Sequence, residues 1–359
     1  MSKKYYHFED DLKAYPDAWC YIVWSKRGPG KTYSSLWYSY SKEIPIIYMK
    51  RTNEDVELLC QNDKYGFDAS PYVPINRDKH TNIKARHIEK GLGGFWSYET
   101  DEKGNEVPDG LPVSYCLSMN AVKRFKGFDF SRCQWIEFDE FIPQLGERIS
   151  RKEGELLLDL YMTVSRDRQK RGMPPLKLIL FANAEEISTP ITNTLEVVDI
   201  MADLNANGKT HYYDKDRGIM LHHITNEEIP IDDSEKTGIY EAMKNTRWGA
   251  KSFEGTFANN DFSNVQKISV RGMSPYIHVH INMKDYYIYL NKNNGRYYMC
   301  SHRGNCLFSY DLNKENDQKL FYTEHDLDLW DACIHGMMKF EKYSMYDLIM
   351  NFKKFFNVY

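Results

Sequence analysis

The sequence predicts an α/β fold: a mostly parallel sheet between helices over residues 1–203, a linker over 204–210, and a smaller α+β domain with antiparallel hairpins over 211–359. Three observations predict it. Apolar strand-like runs alternate with helical runs up to about residue 203, the grammar of a sheet covered on both faces. A Gly-rich turn, Ser25-Lys26-Arg27-Gly28-Pro29-Gly30-Lys31-Thr32, joins the first such strand to a helix. Beyond the linker, short alternating strands are joined by turns such as Asn293-Asn294-Gly295, which is hairpin chemistry. A chain of 359 residues exceeds a typical single core, so two domains fit its length.

In chain order, the strands expected in the first part are Cys20–Trp24, Ile44–Met49, Val113–Met119, Gln134–Phe138 and Lys177–Ala182. The clearest helices are Lys31–Lys42, Asn53–Gln61 and Glu153–Ser165, the last with Leu156, Leu157, Leu160, Tyr161 and Val164 on one face. Glu99 to Gly110 reads as a polar hairpin or insertion around Lys103-Gly104-Asn105. The linker is read from Leu204-Asn205-Ala206-Asn207-Gly208-Lys209. The second part has strands at Ile277–Ile281, Tyr286–Leu290 and Tyr297–Cys300, and two closing helices. The last of these sets Met345, Leu348, Ile349, Phe352, Phe355 and Phe356 on one face for packing onto the sheet.

Composition narrows the partners. The net charge of −4 means that nucleic-acid contact must come from local basic clusters. No apolar stretch reaches the length of a membrane span, and Met1 to Tyr6 lacks the apolar core of a signal peptide. Seven scattered cysteines, an odd number, fit a reduced intracellular setting better than a disulfide framework.

The Gly-rich turn is the chemistry-bearing motif. A strand, a flexible loop and a helix N-terminus present backbone N–H groups to a polyphosphate; Lys31 reaches the β- and γ-phosphates, and the Thr32 hydroxyl holds Mg²⁺. A polyphosphate with Mg²⁺ is therefore the expected ligand, with Ser25 through Thr32 as the binding loop; the resemblance described below makes it ATP. Ser25 stands where the motif has its first Gly, and Pro29 removes one N–H donor.

Asp139 and Glu140 follow the apolar run Gln134-Trp135-Ile136-Glu137-Phe138. At a strand end near the loop, Asp139 supports Mg²⁺ and Glu140 polarises an attacking water. The paired acids favour hydrolysis over phosphoryl transfer to a bound acceptor, which would have to exclude water. Asn183 ends another apolar strand, where it either senses the γ-phosphate or holds the lytic water, or else caps the following loop. Arg166 begins a basic run at a helix C-terminus. It either complements the helix dipole or acts as an arginine finger for a neighbouring subunit's nucleotide, with Arg27 the competitor in cis. Lys123, Arg124 and Lys126 interleave with Phe125 and Phe128, as suits a loop touching a phosphate backbone; an ordinary basic turn has the same look. The Cys300-to-Cys306 segment with His302 matches no common zinc spacing, and His222-His223 are strand neighbours that face opposite sides.

Taken in order, these residues resemble the DNA-packaging ATPases of phi29-type tailed phages, relatives of the large terminase ATPases. The matching stations are 25–32, Ile-Ile-Tyr-Met-Lys-Arg at 46–51, Ile-Glu-Phe-Asp-Glu-Phe-Ile at 136–142, Thr-Val-Ser-Arg-Asp-Arg at 163–168 and Phe-Ala-Asn-Ala at 181–184. The resemblance implies an ATPase of the additional-strand, catalytic-glutamate type, followed by an RNase-H-like domain that has lost its metal site and binds packaging RNA or the portal. It implies a ring, usually a homopentamer, that drives double-stranded DNA into a prohead in the host cytoplasm and is absent from the mature virion. Carried over by position, Lys31 and Glu140 are catalytic, Thr32 and Asp139 hold Mg²⁺, and Arg166 is the finger in trans. Lys126 faces the channel, Lys50 and Arg51 are the basic pair grouped here with the DNA contacts, and Tyr6 (or Tyr5) stacks on adenine. Two rivals stay open. One is a terminase with an active nuclease, for which Asp214, Asp216, Asp232 and Asp233 are the available acids. The other is a non-catalytic, ATP-bound nucleic-acid-binding assembly factor.

Overall fold

The computed structural model describes residues 5–61, 68–144, 146–147 and 149–358; the reading of Met1 to Lys4 lies outside them. Two compact units divide the chain: Met1–Leu195 with Asp203–Asn259, and Glu196–Ala202 with Asn260–Tyr359.

The first unit opens with helix α1 (Phe8–Ala14) and strand β1 (Cys20–Ser25). Every β1 residue is buried, as befits a central parallel strand that reads as one apolar run. Next come α2 (Lys31–Ser41), β2 (Ile46–Lys50), α3 (Asn53–Leu59), α4 (Val73–Lys79), β3 (Ile83–Glu89), β4 (Leu92–Thr100), β5 (Glu106–Pro108) and β6 (Ser114–Ser118). They are followed by β7 (Trp135–Asp139), α5 (Glu153–Ser165), β8 (Lys177–Asn183), α6 (Pro190–Thr194), α7 (Val198–Asn207, of which the residues through Ala202 fall in the second unit), β9 (His211–Asp214) and β10 (Ile219–Ile224). Two short helices, α8 (Gly238–Met243) and α9 (Arg247–Gly249), complete this series. Thr52 and Asp55 cap α3 reciprocally, which starts that helix where the sequence places it. The polar hairpin around Gly104 is β4 pairing with β5.

Strands β6, β2, β7, β8, β1 and β10 lie side by side and parallel. Antiparallel β4 and β3 extend one edge and β9 the other. Phe8 anchors one face, fully buried with the rings of Tyr21, Trp135 and Phe181 edge-on at 5.6, 5.6 and 5.7 Å.

The division expected at 204–210 is displaced. The end of α7 occupies most of that stretch, and β9 and β10 join the first sheet, so the first unit continues through Asn259. β10 is wholly buried beside β1, but His222-His223 in its middle break the apolar run that would reveal it.

In the second unit β11 (Ser274–Ile281), β12 (Lys284–Asn291), β13 (Arg296–Cys300), β14 (Phe308–Asp311) and β15 (Met338–Phe340) form a sheet in the order β14-β11-β12-β13-β15. The middle three are antiparallel, and β14 and β15 run parallel to their neighbours. Helices α10 (Glu315–Phe321), α11 (Leu327–Ile334), α12 (Tyr343–Met350) and α13 (Phe352–Phe355) complete it. The expected closing helix is broken at Asn351, whose φ is −124°; Met345, Leu348, Ile349 and Phe352 of its apolar face are buried as expected. The cysteines are all free. No helix among the described residues is long and apolar enough to cross a membrane.

Candidate nucleotide site

The parallel order brings the carboxyl ends of β2, β7, β8 and β1 to one edge, carrying Lys50, Asp139, Asn183 and Ser25. In open α/β sheets ligands bind beyond this edge. β8 lies between β7 and β1, with Ser25 and Asn183 in register.

From Ser25 the chain turns through Gly28 and Gly30, at φ +92° and +91°, a region open to glycine at little cost. Gly30 caps α2, and the free N–H groups of that first turn face outward from the helix end. Lys31 is buried, and its Nζ donates to Ser25 Oγ at 2.5 Å and to the Lys26 carbonyl at 3.4 Å. Ser25, the residue in place of the motif's first Gly, therefore seats the loop lysine. Burial pulls the Lys31 ammonium down to about 8, with Asp139 and Glu140 opposing.

Thr32 Oγ1 donates to Asp139 Oδ2 at 3.1 Å. The Tyr48 hydroxyl (2.8 Å) and Lys50 Nζ (3.4 Å) converge on the same oxygen, since positions 48 and 50 share a strand face. Lys50 also lies 3.0 Å from Glu140 Oε2. Burial opposes its charge, yet Asp139 and Glu140 hold the Lys50 ammonium above its ordinary value. Beneath them Glu137 is fully buried and accepts from Ser35 Oγ at 2.9 Å, and burial pushes its carboxyl well up.

Glu140 has a left-handed backbone, φ +58°, a conformation that costs a non-glycine roughly 1–3 kcal/mol. Its cause is local. Asp139 pairs with Phe181 in register, and Phe141 N–H also bonds to the Phe181 carbonyl at 3.0 Å. Glu140 is thus an extra residue swung out of the ladder, its side chain half exposed. Arg51 holds this geometry: its guanidinium donates to the Glu140 carbonyl at 3.3 Å, the Phe141 carbonyl at 2.6 Å and Glu153 at 2.8 Å. Lys50, Arg51, Asp139, Glu140, Asn183 and Glu185 line a cleft of about 330 Å³.

The expected residues do not all converge. Lys50 and Arg51, grouped with the DNA contacts, are instead committed to acids and carbonyls inside the cleft, and Arg51 is only 8% exposed. Tyr6, expected on adenine, is buried; its hydroxyl donates to Asp11 at 2.6 Å and its N–H to the Pro29 carbonyl at 2.9 Å. Tyr5 is the exposed ring beside Gly30. Arg27 is exposed on the loop. Arg166 is exposed just past the end of α5. That helix starts at Glu153, the buried partner of the cleft residue Arg51, and runs 13 residues, about 20 Å, to the amino ends of the strands, where Tyr161 packs on Trp19. Arg166 therefore lies toward the amino ends of the strands, away from its own cleft. Lys123, Arg124 and Lys126 are exposed; Arg124 pairs with Glu89, and Lys126 with Asp159 at 3.0 Å. The acids considered for a nuclease, Asp214, Asp216, Asp232 and Asp233, belong to the first unit, and Asp214 and Asp233 pair with Arg217 and Lys236.

Three participants escaped the sequence. Tyr48 reads as one more apolar strand residue, and Glu153 as a helix start. Glu185, two residues past Asn183, pairs at 2.7 Å with the distant Lys251.

No protein-family model and no curated protein matches the chain. Solved structures do. The Phi-28 gp11 DNA packaging motor superposes with a TM-score of 0.63 at 15% identity, covering 100% of this chain and 99% of that one. The bacteriophage Phi-29 viral genome packaging motor assembly gives 0.63 at 16% identity, covering 98% and 100%. The likeness is one of fold along the whole length.

Proposed function

We propose that this chain hydrolyses MgATP within a ring of identical subunits and uses the cycle to drive double-stranded DNA through a portal into a phage prohead. The observation that carries the reading is the meeting of Lys31, Thr32, Asp139, Glu140 and Asn183 at the carboxyl ends of three adjacent parallel strands. The full-length fold likeness to two phage packaging motors supports it. β8 between β1 and β7 is the strand order expected of the additional-strand, catalytic-glutamate class.

Lys31 and the N–H groups around Gly30 hold the phosphates. Thr32 Oγ1 and Asp139 Oδ2, 3.1 Å apart, are hard oxygen donors that fit the Mg²⁺ carried by ATP. The ion when bound neutralises charge between β- and γ-phosphates. Glu140 takes the proton of the attacking water, held over the cleft by its bulge, and Asn183 orients that water. Arg166 serves the neighbouring subunit's nucleotide, and the exposed turn of Lys123, Arg124 and Lys126 touches DNA phosphates. The second unit is RNase-H-like: β14 parallel to β11 and the antiparallel β11-β12-β13 support this. β11 bears His278 and His280 but no carboxylate, which favours binding of packaging RNA or portal over cleavage. The ring is a homopentamer working at the prohead in the host cytoplasm.

The test is DNA-stimulated ATPase activity with and without proheads. Wild type should turn over, while Glu140→Gln should bind ATP and hydrolyse it at least about 100-fold more slowly. A wild type without turnover in the presence of DNA and proheads overturns the reading.

A further inference from the structure

We infer that Asp11, His211 and His222 form a binding site, separate from the nucleotide cleft, for a divalent transition-metal ion of the zinc class. His211 and His222 stand directly opposite each other on antiparallel β9 and β10, so their side chains share a face. Their ring centroids are 3.8 Å apart. Asp11 reaches both from α1: Oδ2 lies 2.8 Å from His222 Nδ1, and Oδ1 lies 3.6 Å from His211 Nε2. One ligand atom from each residue lies within 4.8 Å of the others. Bonds of about 2.0–2.1 Å in tetrahedral geometry place ligand atoms about 3.3 Å apart, so closing on an ion takes only small adjustments.

Each ligand already has its orienting partner. His222 Nε2 is 2.8 Å from Glu228 Oε2, leaving Nδ1 for the metal. His211 Nδ1 is 2.9 Å from Thr210 Oγ1, leaving Nε2. The Tyr6 hydroxyl donates to Asp11 Oδ2 at 2.6 Å, leaving Oδ1. A carboxylate or hydroxyl behind each ligand is how metal-binding imidazoles are fixed in tautomer and direction. A bare structural ion pair needs no second histidine in this position.

The donor set points the same way. Two imidazoles and a carboxylate without thiolate suit zinc and its neighbours rather than magnesium or calcium. A cleft of about 300 Å³, lined also by Tyr15 and Ile229, opens onto the group and leaves a fourth position for water. The ion would tie α1 to β10, and with it the segment whose Tyr6 N–H bonds to Pro29 of the phosphate loop.

The test uses the full chain, stripped with chelator and titrated with Zn²⁺ by calorimetry and with Co²⁺ by visible absorption. One ion per chain is expected, with Co²⁺ d–d bands but no thiolate charge-transfer band. His211→Ala, at a half-buried ligand, should abolish this binding with the far-UV circular dichroism unchanged. Glu228→Gln should weaken it about 10- to 100-fold. Equal Zn²⁺ binding by wild type and His211→Ala, a thiolate band, or no binding by wild type each overturns the inference.

Discussion

Lys50 Nζ stands 3.0 Å from Glu140 Oε2, and the same ammonium is 3.4 Å from Asp139 Oδ2. One cation thus holds two adjacent carboxylates that would otherwise repel each other at the mouth of the cleft. Its removal should leave the Glu140 side chain unpositioned. Lys50→Ala is expected to lower kcat for ATP about 10- to 100-fold with nucleotide affinity changed only a few-fold. Rapid-quench turnover with a fluorescent-nucleotide titration separates the two; an unchanged kcat refutes the role.

Lys31 gives a proton signature. Its ammonium sits at about 8 because burial disfavours its charge. A polyphosphate favours the charged form and raises that value. At pH 8.5, therefore, ATP binding should take up protons, and the apparent binding enthalpy should differ between buffers of different ionisation enthalpy. Lys31→Met should lose the difference, and identical enthalpies for wild type count against the assignment.

The Arg51–Glu153 pair, at 2.8 Å and nearly buried, should govern stability more than catalysis. Removing one partner strands the other in a site where burial already pushes the Glu153 carboxyl up against the pull of Arg51. Arg51→Met should cost about 3–5 kcal/mol, and Arg51→Met combined with Glu153→Leu should cost less than either of these changes alone. Denaturant unfolding of the four proteins measures the cycle.

Arg166 lies at the far end of α5 from its own cleft, so Arg166→Ala should spare ATP binding and folding. Mixed with Lys31→Ala subunits, it should regain part of the ATPase activity, because each defect then falls on a different side of a shared interface. No complementation at any mixing ratio would transfer the finger to Arg27.

Asp326 in the second unit predicts a pH effect. Burial pushes its carboxyl up to about 6, with Lys353 opposing. The folded value exceeds the unfolded one, so the stabilising contribution is complete below the usual carboxylate range and disappears as pH rises through 6. The second unit should melt at a lower temperature at pH 7.5 than at pH 5, and Asp326→Asn should flatten that slope. An unaltered slope in the variant would assign it to other groups.

Much of the candidate site is legible in consecutive residues. Gly28 and Gly30 are needed wherever backbone must turn at positive φ around a phosphate, and Lys31 and Thr32 must follow at the helix start. Asp139-Glu140 and Asn183 announce themselves as polar residues ending apolar strands. The likeness of Tyr5 to Tyr6 and of Lys50 to Arg51 is, by contrast, uninformative in sequence. One ring is core and the other exposed, and one cation bridges Asp139 and Glu140 while the other braces the loop beneath them. What decides each pair is the packing around it.

By itself, then, the sequence determined the glycine-bearing turn between β1 and α2, the acid-ended strands and the change from parallel to hairpin grammar, because these depend on backbone chemistry written into neighbouring residues. The tertiary structure alone decided that β9 and β10 belong to the first sheet, that Glu140 bulges from its ladder, and that His222 meets His211 and Asp11. Those outcomes depend on contacts between distant positions: Thr32 and Asp139 are separated by 107 residues, and Asp11 and His222 by 211. Over such separations a residue's type states what it can bond to, and only folding selects the partner.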